Sequence, residues 1–199
     1  NIESIRAGKK QQLDFKVQGI KENDSVQLLC SHKWGPVLLN SNVKQGIVSF
    51  TLDTNITNKA GMLELQLIHE NIKENHHTIQ ILSREATGKI DAYNGPKTLF
   101  ANDKDGSMLV VIPKDEFGNP LNDDAIVKFS ERGIKGHSET YKRNVSGLVS
   151  YNVTESKAKA SKVLLGAQIS KAAIEEQELI IEATMPSKLI IKTEEWYPI

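Results

Sequence analysis

The chain has 199 residues, of which 39% are hydrophobic and 25% are charged, a composition typical of globular proteins. Lysine plus arginine and aspartate plus glutamate both number 25, so the formal net charge is zero, and this balance argues against nucleic acid as a partner. No run of 18 or more apolar residues occurs, so we expect no insertion of this chain into a membrane. The single cysteine, Cys30, excludes an internal disulfide.

Turn signals recur about every 8 to 12 residues and helical periodicity is scarce, which predicts an all-β protein. The segment Trp34-Gly35-Pro36 is expected to form a turn between two strands. The strands predicted in the first half lie at residues 12–17, 25–31, 37–39, 46–52, 63–67 and 78–82.

A further strand is predicted at the start of residues 107–121, SMLVVIPKDEFGNPL. Met108 and Val110 alternate with Leu109 and Val111, so both faces of this strand are apolar. Such a pattern predicts a strand that is buried on both faces inside a sandwich.

The same segment predicts a turn at residues 115–120, DEFGNP. Gly118 and Asn119 tolerate positive φ, and the carboxylate of Asp115 is suited to accept backbone N–H groups within the turn. Pro120 has no N–H to offer a continuing strand pair. The chain is therefore expected to reverse direction here.

These residues carry a resemblance to a known family. Residues 101–129, ANDKDGSMLVVIPKDEFGNPLNDDAIVKF, resemble the bacterial Ig-like domains of the invasin and intimin type. Those domains open with a polar Asp/Gly segment, run into an alternating strand, turn at a D-x-x-G-N-P element and return through a second strand. The resemblance covers roughly residues 88–185 and implies an immunoglobulin-like sandwich.

An internal repeat indicates a second copy of the same unit. The sequence QGIVSFTL at residues 45–52 aligns with SGLVSYNV at residues 146–153, and their glycines are 147 − 46 = 101 positions apart. Residues 25–31 match residues 124–130 at the similar offset of 124 − 25 = 99. The predicted fold is therefore two tandem immunoglobulin-like β-sandwiches joined by a short linker.

The domain boundary is expected in the polar segment at residues 83–89, SREATGK. The predicted domains are residues 1–84, residues 85–185, and residues 186–199 as a C-terminal strand or tail, or the start of a further domain. The other strands predicted in the second half lie at residues 90–93 and 97–101 (two parts of one strand), 125–130, 145–153, 162–169 and 177–183, with short helical turns as an alternative at residues 157–162 and 171–176.

Metal-binding patterns are weak. His69 and His77 flank a predicted hairpin loop, and with Glu70 or Glu74 they are weak candidates for a surface metal site, since zinc usually needs three or four convergent ligands. The sequence DKDG at residues 103–106 lacks the acidic spacing of a calcium loop. Asp123 and Asp124, after the acidic residues of the 115–120 turn, are a further weak cation candidate. We predict no metal and no cofactor.

Exposed aromatic residues are the candidates for contact with a partner. Trp34 lies in a predicted turn, and Trp196 and Tyr197 lie in the C-terminal tail, where aromatic side chains supply binding area. The alternative for Trp34 is packing in the core or between domains. Cys30 is in the apolar phase of its strand, which favours a core position over a nucleophile.

No local motif of a hydrolase, zinc protease, phosphate loop or disulfide oxidoreductase occurs, so we predict a non-enzymatic protein. The resemblance implies a structural or interaction module of a bacterial cell-envelope or surface protein, periplasmic or extracellular, that binds a protein or a glycan. A carbohydrate-binding module is one alternative, which would need a planar row of exposed aromatic side chains. A fragment of a macroglobulin-like or surface assembly or secretion protein is another.

Overall fold

The computed structural model describes residues 2–70, 76–101, 104–122, 124–133, 136–147 and 149–184. Within these residues the chain is almost entirely β-structure, which confirms the predicted all-β class. No helix in this part of the chain is long and apolar enough to span a membrane. The strands form two groups, one in each half, and no ladder among the described strands joins the groups.

The first half contains seven described strands and one short helix. They are β1 (Ser4–Arg6), β2 (Gln11–Lys16), β3 (Ser25–His32), β4 (Gly35–Asn42), β5 (Ile47–Leu52), α1 (Thr54–Thr57), β6 (Gly61–Ile68) and β7 (His76–Leu82). One sheet has the order β1-β7-β6-β3-β4, with β1 parallel to β7, and it packs on a two-stranded sheet of β2 and β5. Alternating apolar residues from both layers form the first core, including Leu28, Phe50, Leu63 and Ile79.

The second half contains ten described strands. They are β8 (Thr87–Lys89), β9 (Asp91–Gly95), β10 (Thr98–Phe100), β11 (Gly106–Ile112), β12 (Ile126–Gly133), β13 (Gly136–Arg143), β14 (Ser150–Glu155), β15 (Ser161–Ile169), β16 (Lys171–Ala173) and β17 (Gln177–Glu182). The larger sheet has the order β10-β17-β15-β12-β13, and β16 joins β15 to β8. The smaller sheet has the order β14-β11-β9. Leu109, Phe129, Leu165 and Leu179 are among the residues of the second core.

The two larger sheets share one strand order. In each, a short strand, β1 or β10, pairs in parallel with the last strand of its half, β7 or β17. Three further antiparallel strands then lead to the edge strand, β4 or β13. Each sheet packs its apolar face on a smaller sheet, as in β-sandwiches. The predicted fold of two immunoglobulin-like sandwiches is confirmed.

Three local predictions were wrong. Gly35 and Pro36 do not form a turn; they open β4 and pair with His32 and Ser31 of β3, and the turn consists of residues 33–34. β13 was missed, because its polar sequence GHSETYKR forms an exposed edge strand without apolar alternation. The segments at 90–93 and 97–101 are not one broken strand, since β9 lies in the smaller sheet and β10 in the larger one.

The prediction that the strand at residues 107–112 is buried on both faces was also wrong. Leu109 and Val111 are buried in the second core, but Met108 is 42% exposed and Val110 is only partly covered. The smaller sheet has one face toward the core and none of the described strands on its other face. The apolar residues on that outer face are therefore in contact with solvent.

Candidate functional site

The turn at residues 115–119 is stabilised by the side chain of its first residue. Asp115 Oδ1 accepts hydrogen bonds from the backbone N–H groups of Phe117 and Asn119, each at 2.9 Å. The backbone N–H of Gly118 donates to the carbonyl of Asp115 at 3.0 Å, and Gly118 has a φ of +78°, which glycine adopts without steric cost. Pro120 follows, bridged to Lys114. The sequence thus closes a compact turn at this point.

This turn contacts the first sandwich through two buried polar side chains. Asn119 Nδ2 donates to the carbonyl of Asn58 at 2.8 Å, and Asn119 Oδ1 accepts from the backbone N–H of Ala60 at 2.9 Å. Asp115 Oδ2 accepts from the backbone N–H of Arg84 at 3.0 Å. Asp115 and Asn119 are each only 5% exposed. The groups that shape the turn therefore also bind the backbone of the neighbouring sandwich.

Phe117 extends the contact into the first core. Its ring is partly buried and packs against the first hydrophobic cluster. A Cβ atom added to Gly8 would lie 2.3 Å from Phe117 Cζ, so the ring lies directly on the backbone of Gly8. Lys59 Nζ donates to the carbonyl of Phe117 at 3.2 Å. We call residues 115–119 and these contacts the interdomain joint.

A cation covers the outer side of the joint. Arg84 forms an ion pair with Glu116 at 2.6 Å, and its guanidinium lies 5.5 Å from the centre of the Phe117 ring. Both charged side chains are about half exposed, so the pair itself contributes little to stability. The pair lies next to the buried bonds of Asp115, because the backbone N–H of the same Arg84 donates to Asp115 Oδ2.

Trp34 lies beside the joint, at the turn between β3 and β4. Its side chain is 68% exposed, and the ammonium groups of Lys33 and Lys59 lie 5.3 Å and 5.9 Å from its ring centre. Because Lys59 also binds Phe117, the exposed indole borders the joint. The backbone N–H of Trp34 donates to His32 Nδ1 at 3.4 Å.

His32 is the titratable group beneath this surface. Burial lowers the pKa of His32 and the positive charge of Lys33 lowers it further, whereas the nearby backbone of Lys59 acts in the opposite direction. The imidazole is therefore held in its neutral form over a wider pH range than a free histidine.

The weak metal candidates are not assembled into a site that the structure describes. His77 lies in β7 opposite Leu65, and His69 follows the end of β6. Among the described residues, no group of three or more His, Cys, Asp or Glu side chains could hold a metal ion. Glu74, Asp103 and Asp123 lie outside the described residues.

The remaining candidates differ in their placement. Cys30 is 1% exposed, and burial raises the pKa of its thiol to about 11, which makes it a core residue without nucleophilic character near neutral pH. Trp196 and Tyr197 lie outside the described residues.

Sequence reasoning missed the first-sandwich side of the joint. The acceptor and donor groups there are backbone atoms of residues 58–60 and of Arg84, which any side chain would present equally. The one signal in the sequence was Gly8, which is required where the ring of Phe117 approaches the backbone.

Comparisons with known proteins were informative only at the level of structure. No protein-family model and no curated protein sequence matches the chain. The fold is similar to that of FdeC, an Escherichia coli adhesin, with a TM-score of 0.50, 16% identity, and coverage of 92% of this chain and 62% of that chain. The chain therefore has the Ig-like fold of the domains in this adhesin.

Two further bacterial proteins are similar in structure with lower TM-scores. Invasin, described as a bacterial integrin-binding protein, has a TM-score of 0.46 and 12% identity, covering 92% of this chain and 38% of that chain. The Yersinia pseudotuberculosis adhesin InvE has a TM-score of 0.41 and 11% identity, covering 89% of this chain and 56% of that chain. The chain therefore spans less than two thirds of the length of each of these proteins.

Proposed function

We propose that these two Ig-like sandwiches form a stiff, non-enzymatic spacer and interaction segment of a bacterial surface protein. The observation that carries this proposal is the interdomain joint, in which Asp115 and Asn119 are buried and hydrogen-bonded to the backbone of the other sandwich. Opening the joint would exchange three buried hydrogen bonds of Asp115 and Asn119 for bonds to water and would remove Phe117 from the first core. Each exchanged bond costs about 0.5–1.5 kcal/mol, and the lost apolar burial adds to that cost. A surface protein gains from such a joint because it fixes the distance between its two ends.

The proposed partner is a protein or a glycan in the periplasm or outside the cell. The similarity of the fold to that of adhesins supports a surface location. The formal net charge of zero fits a partner whose surface is neutral or carries both signs of charge. Trp34, which is 68% exposed next to two ammonium groups, is our proposed contact residue on the first sandwich. Trp196 and Tyr197 remain proposed contact residues from the sequence alone.

The stiffness of the joint is measurable by double electron–electron resonance. Spin labels are attached at Lys16→Cys in the first sandwich and Lys142→Cys in the second, two exposed positions, while buried Cys30 is left unlabelled. We expect one narrow distance distribution for the parent chain. Asn119→Ala removes two bonds across the joint and is expected to broaden that distribution.

Asn144→Ala is the matched control. Asn144 is also 5% exposed, but its Nδ2 group donates to the carbonyls of Leu121 and Asn122 inside the second sandwich. We expect this variant to keep the narrow distribution. A broad distribution in the parent chain, or equal broadening in both variants, contradicts the proposal of a stiff spacer.

A further inference from the structure

The outer face of the smaller sheet of the second sandwich is apolar and exposed. Tyr93 of β9 and Tyr151 of β14 both pair with Val110 of β11, so the three side chains form one row across the sheet. The next row contains Met108 and its partner Val153. The exposed fractions are 64% for Tyr93, 45% for Tyr151, 42% for Met108 and 48% for Val153. We call these five residues the tyrosine face.

The tyrosine face exists because the residues of β14 that align with the buried residues of β5 point to solvent instead of to the core. At the repeat offset of 101, Phe50 of β5 aligns with Tyr151 of β14. Phe50 is 3% exposed and points into the first core, whereas Tyr151 points to solvent. The positions that point inward in β14 are polar, with Ser150 and Thr154 almost fully buried.

The length of the preceding turn explains this inversion. In the first sandwich the turn closes between Lys44 and Ile47, which leaves two residues in the loop. In the second sandwich the turn closes between Val145 and Val149, which leaves three. Because successive side chains of a strand point to opposite faces, a shift of one residue moves the whole apolar set to the other face.

The inward polar groups have partners, so the inverted strand satisfies its own hydrogen bonds. Thr154 Oγ1 donates to Glu131 Oε1 at 2.5 Å, and Asn152 Nδ2 donates to the same atom at 3.3 Å. Ser107 Oγ of the neighbouring strand donates to the carbonyl of Pro96 at 2.6 Å. The hydrogen bonds of these inward-pointing side chains therefore stabilise the register in which Tyr151 is exposed.

The equivalent outer face in the first sandwich is polar. Its paired positions are Gln12 with Thr51 and Asp14 with Ser49. All four side chains are exposed. On this face of the first sandwich the one exposed apolar residue of the paired strands is Ile47, which is 38% exposed and pairs with Lys16. A continuous apolar row on the smaller sheet is therefore a feature of the second sandwich.

The size and charge of the tyrosine face restrict what it binds. Its five residues lie on three strands and in two rows, a footprint on the order of 200 Å². This is well below the roughly 800 Å² of accessible surface that each partner buries in a typical stable protein interface. It contains no charged side chain. At one end Asp91 and Lys114 neutralise each other in an ion pair at 2.9 Å, and Glu155 lies at the other end.

We propose that the tyrosine face binds a neutral oligosaccharide, with sugar rings placed on Tyr93 and Tyr151. The two tyrosines are separated by two strand spacings, about 10 Å, so an extended chain contacts both rings at once. A tyrosine offers an apolar ring and a hydroxyl tip, which matches a sugar with its C–H faces and hydroxyl edges. This inference rests on the proposed function as a surface interaction module and names the class of its ligand.

The test uses the full chain and three neutral probes: cellohexaose, xylohexaose and mannohexaose. Binding is followed by titration calorimetry and by two-dimensional NMR of the tyrosine ring signals. We expect at least one probe to shift the signals of Tyr93 and Tyr151, and either Tyr→Ala substitution to weaken binding roughly tenfold, the scale of an aromatic contact with its buried area. Tyr93→Phe and Tyr151→Phe are expected to retain most of the affinity.

Tyr141→Ala is the matched control, because Tyr141 is 63% exposed but lies on β13 in the other sheet. It is expected to leave affinity unchanged, and binding is expected to vary little with salt because the face is uncharged. Failure of all three probes to shift either signal overturns the proposal. Equal loss in Tyr141→Ala overturns it too, as does self-association of the chain that Tyr93→Ala abolishes. None of these outcomes depends on the spin-label distances, so the spacer proposal is tested separately.

Discussion

At the scale of single residues, two side chains form most of the hydrogen bonds of the interdomain joint. Asp115 and Asn119 have short polar side chains that first close their own turn and then reach backbone groups of the other sandwich. In an isolated second sandwich, the side-chain groups that reach the first sandwich would form hydrogen bonds with water instead. Their burial at 5% exposure makes the joint specific for one relative placement of the two backbones.

Gly8 provides the sharpest residue-scale prediction. Gly8→Ala places a methyl group 2.3 Å from Phe117 Cζ, so the ring must move off the first core, and the residue also keeps a φ of +73°. We expect a loss of about 2–4 kcal/mol in the free energy of unfolding, from overpacking and from positive φ together. Urea denaturation of the full chain measures this loss.

Gly19→Ala is the control for Gly8→Ala. Gly19 has nearly the same φ, +75°, but no atom lies within 4 Å of the added Cβ. We expect it to cost only about 1 kcal/mol, the effect of positive φ alone. Equal losses for the two variants would show that Phe117 does not press on Gly8 in solution.

His32 predicts a pH dependence of stability. Because burial and Lys33 lower the pKa of His32, the folded chain binds fewer protons than the unfolded chain below the ordinary histidine pKa of about 6.5. The stabilising contribution is therefore complete above that value and is lost as pH falls. We expect His32→Gln to show a shallower decrease in unfolding free energy between about pH 7 and pH 5 than the parent chain.

His76→Gln is the matched control, since His76 is exposed in β7. It is expected to follow the pH dependence of the parent chain. An unchanged slope in His32→Gln would mean that this imidazole titrates equally in the folded and unfolded chains.

At the scale of elements, turn length decides which face of a strand is buried. The sequences QGIVSFTL and SGLVSYNV look equivalent, yet their strands present opposite faces to their cores. The hydrophobic pattern predicted that both strands exist. It did not predict the inversion, because apolar and polar residues alternate in both and only the closing pair of the turn sets the phase.

An insertion tests this account of the turn. Adding one glycine between Gly46 and Ile47 lengthens the first turn to the size of the second and is expected to turn Val48, Phe50 and Leu52 toward solvent. Exposing side chains of this size costs about 1.5–3 kcal/mol each, so we expect a loss of roughly 5 kcal/mol or loss of cooperative unfolding. Thermal and urea unfolding measure the effect.

The control insertion is one glycine after Gly19, in an exposed bend before β3. Surface insertions of one residue cost little loop entropy, so this variant is expected to unfold close to the parent. Two insertions with the same small effect would show that the turn does not fix the register of β5.

Interior strands were the elements that the sequence predicted best, because their alternation is strong. The residues of β3, β6 and β15 alternate between buried and exposed or half-exposed positions along most of each strand. The sequence did not predict the edge strand β13, because that strand has no apolar alternation. It did not predict the short helix α1 either, because the helix has no acidic residue in its first turn and no side-chain cap. Of the joint, the sequence predicted the turn but not its backbone partners in the first sandwich.

At the scale of the whole molecule, the chain is two sandwiches of the same strand order held by one turn. Residues 115–119 contact the first sandwich through the buried hydrogen bonds of Asn119 and through the ring of Phe117 on Gly8. Glu116 adds an exposed ion pair with Arg84. The tyrosine face belongs to the second sandwich alone. A stiff joint would hold that face at a constant distance and orientation from the first sandwich.

Residual dipolar couplings of the weakly aligned full chain test the stiffness of the joint most directly. If the joint holds the sandwiches as one unit, a single alignment tensor fits the couplings of both sandwiches with the interdomain placement described above. Asn119→Ala is then expected to give two tensors of unequal magnitude. Two unequal tensors already in the parent chain would contradict the account.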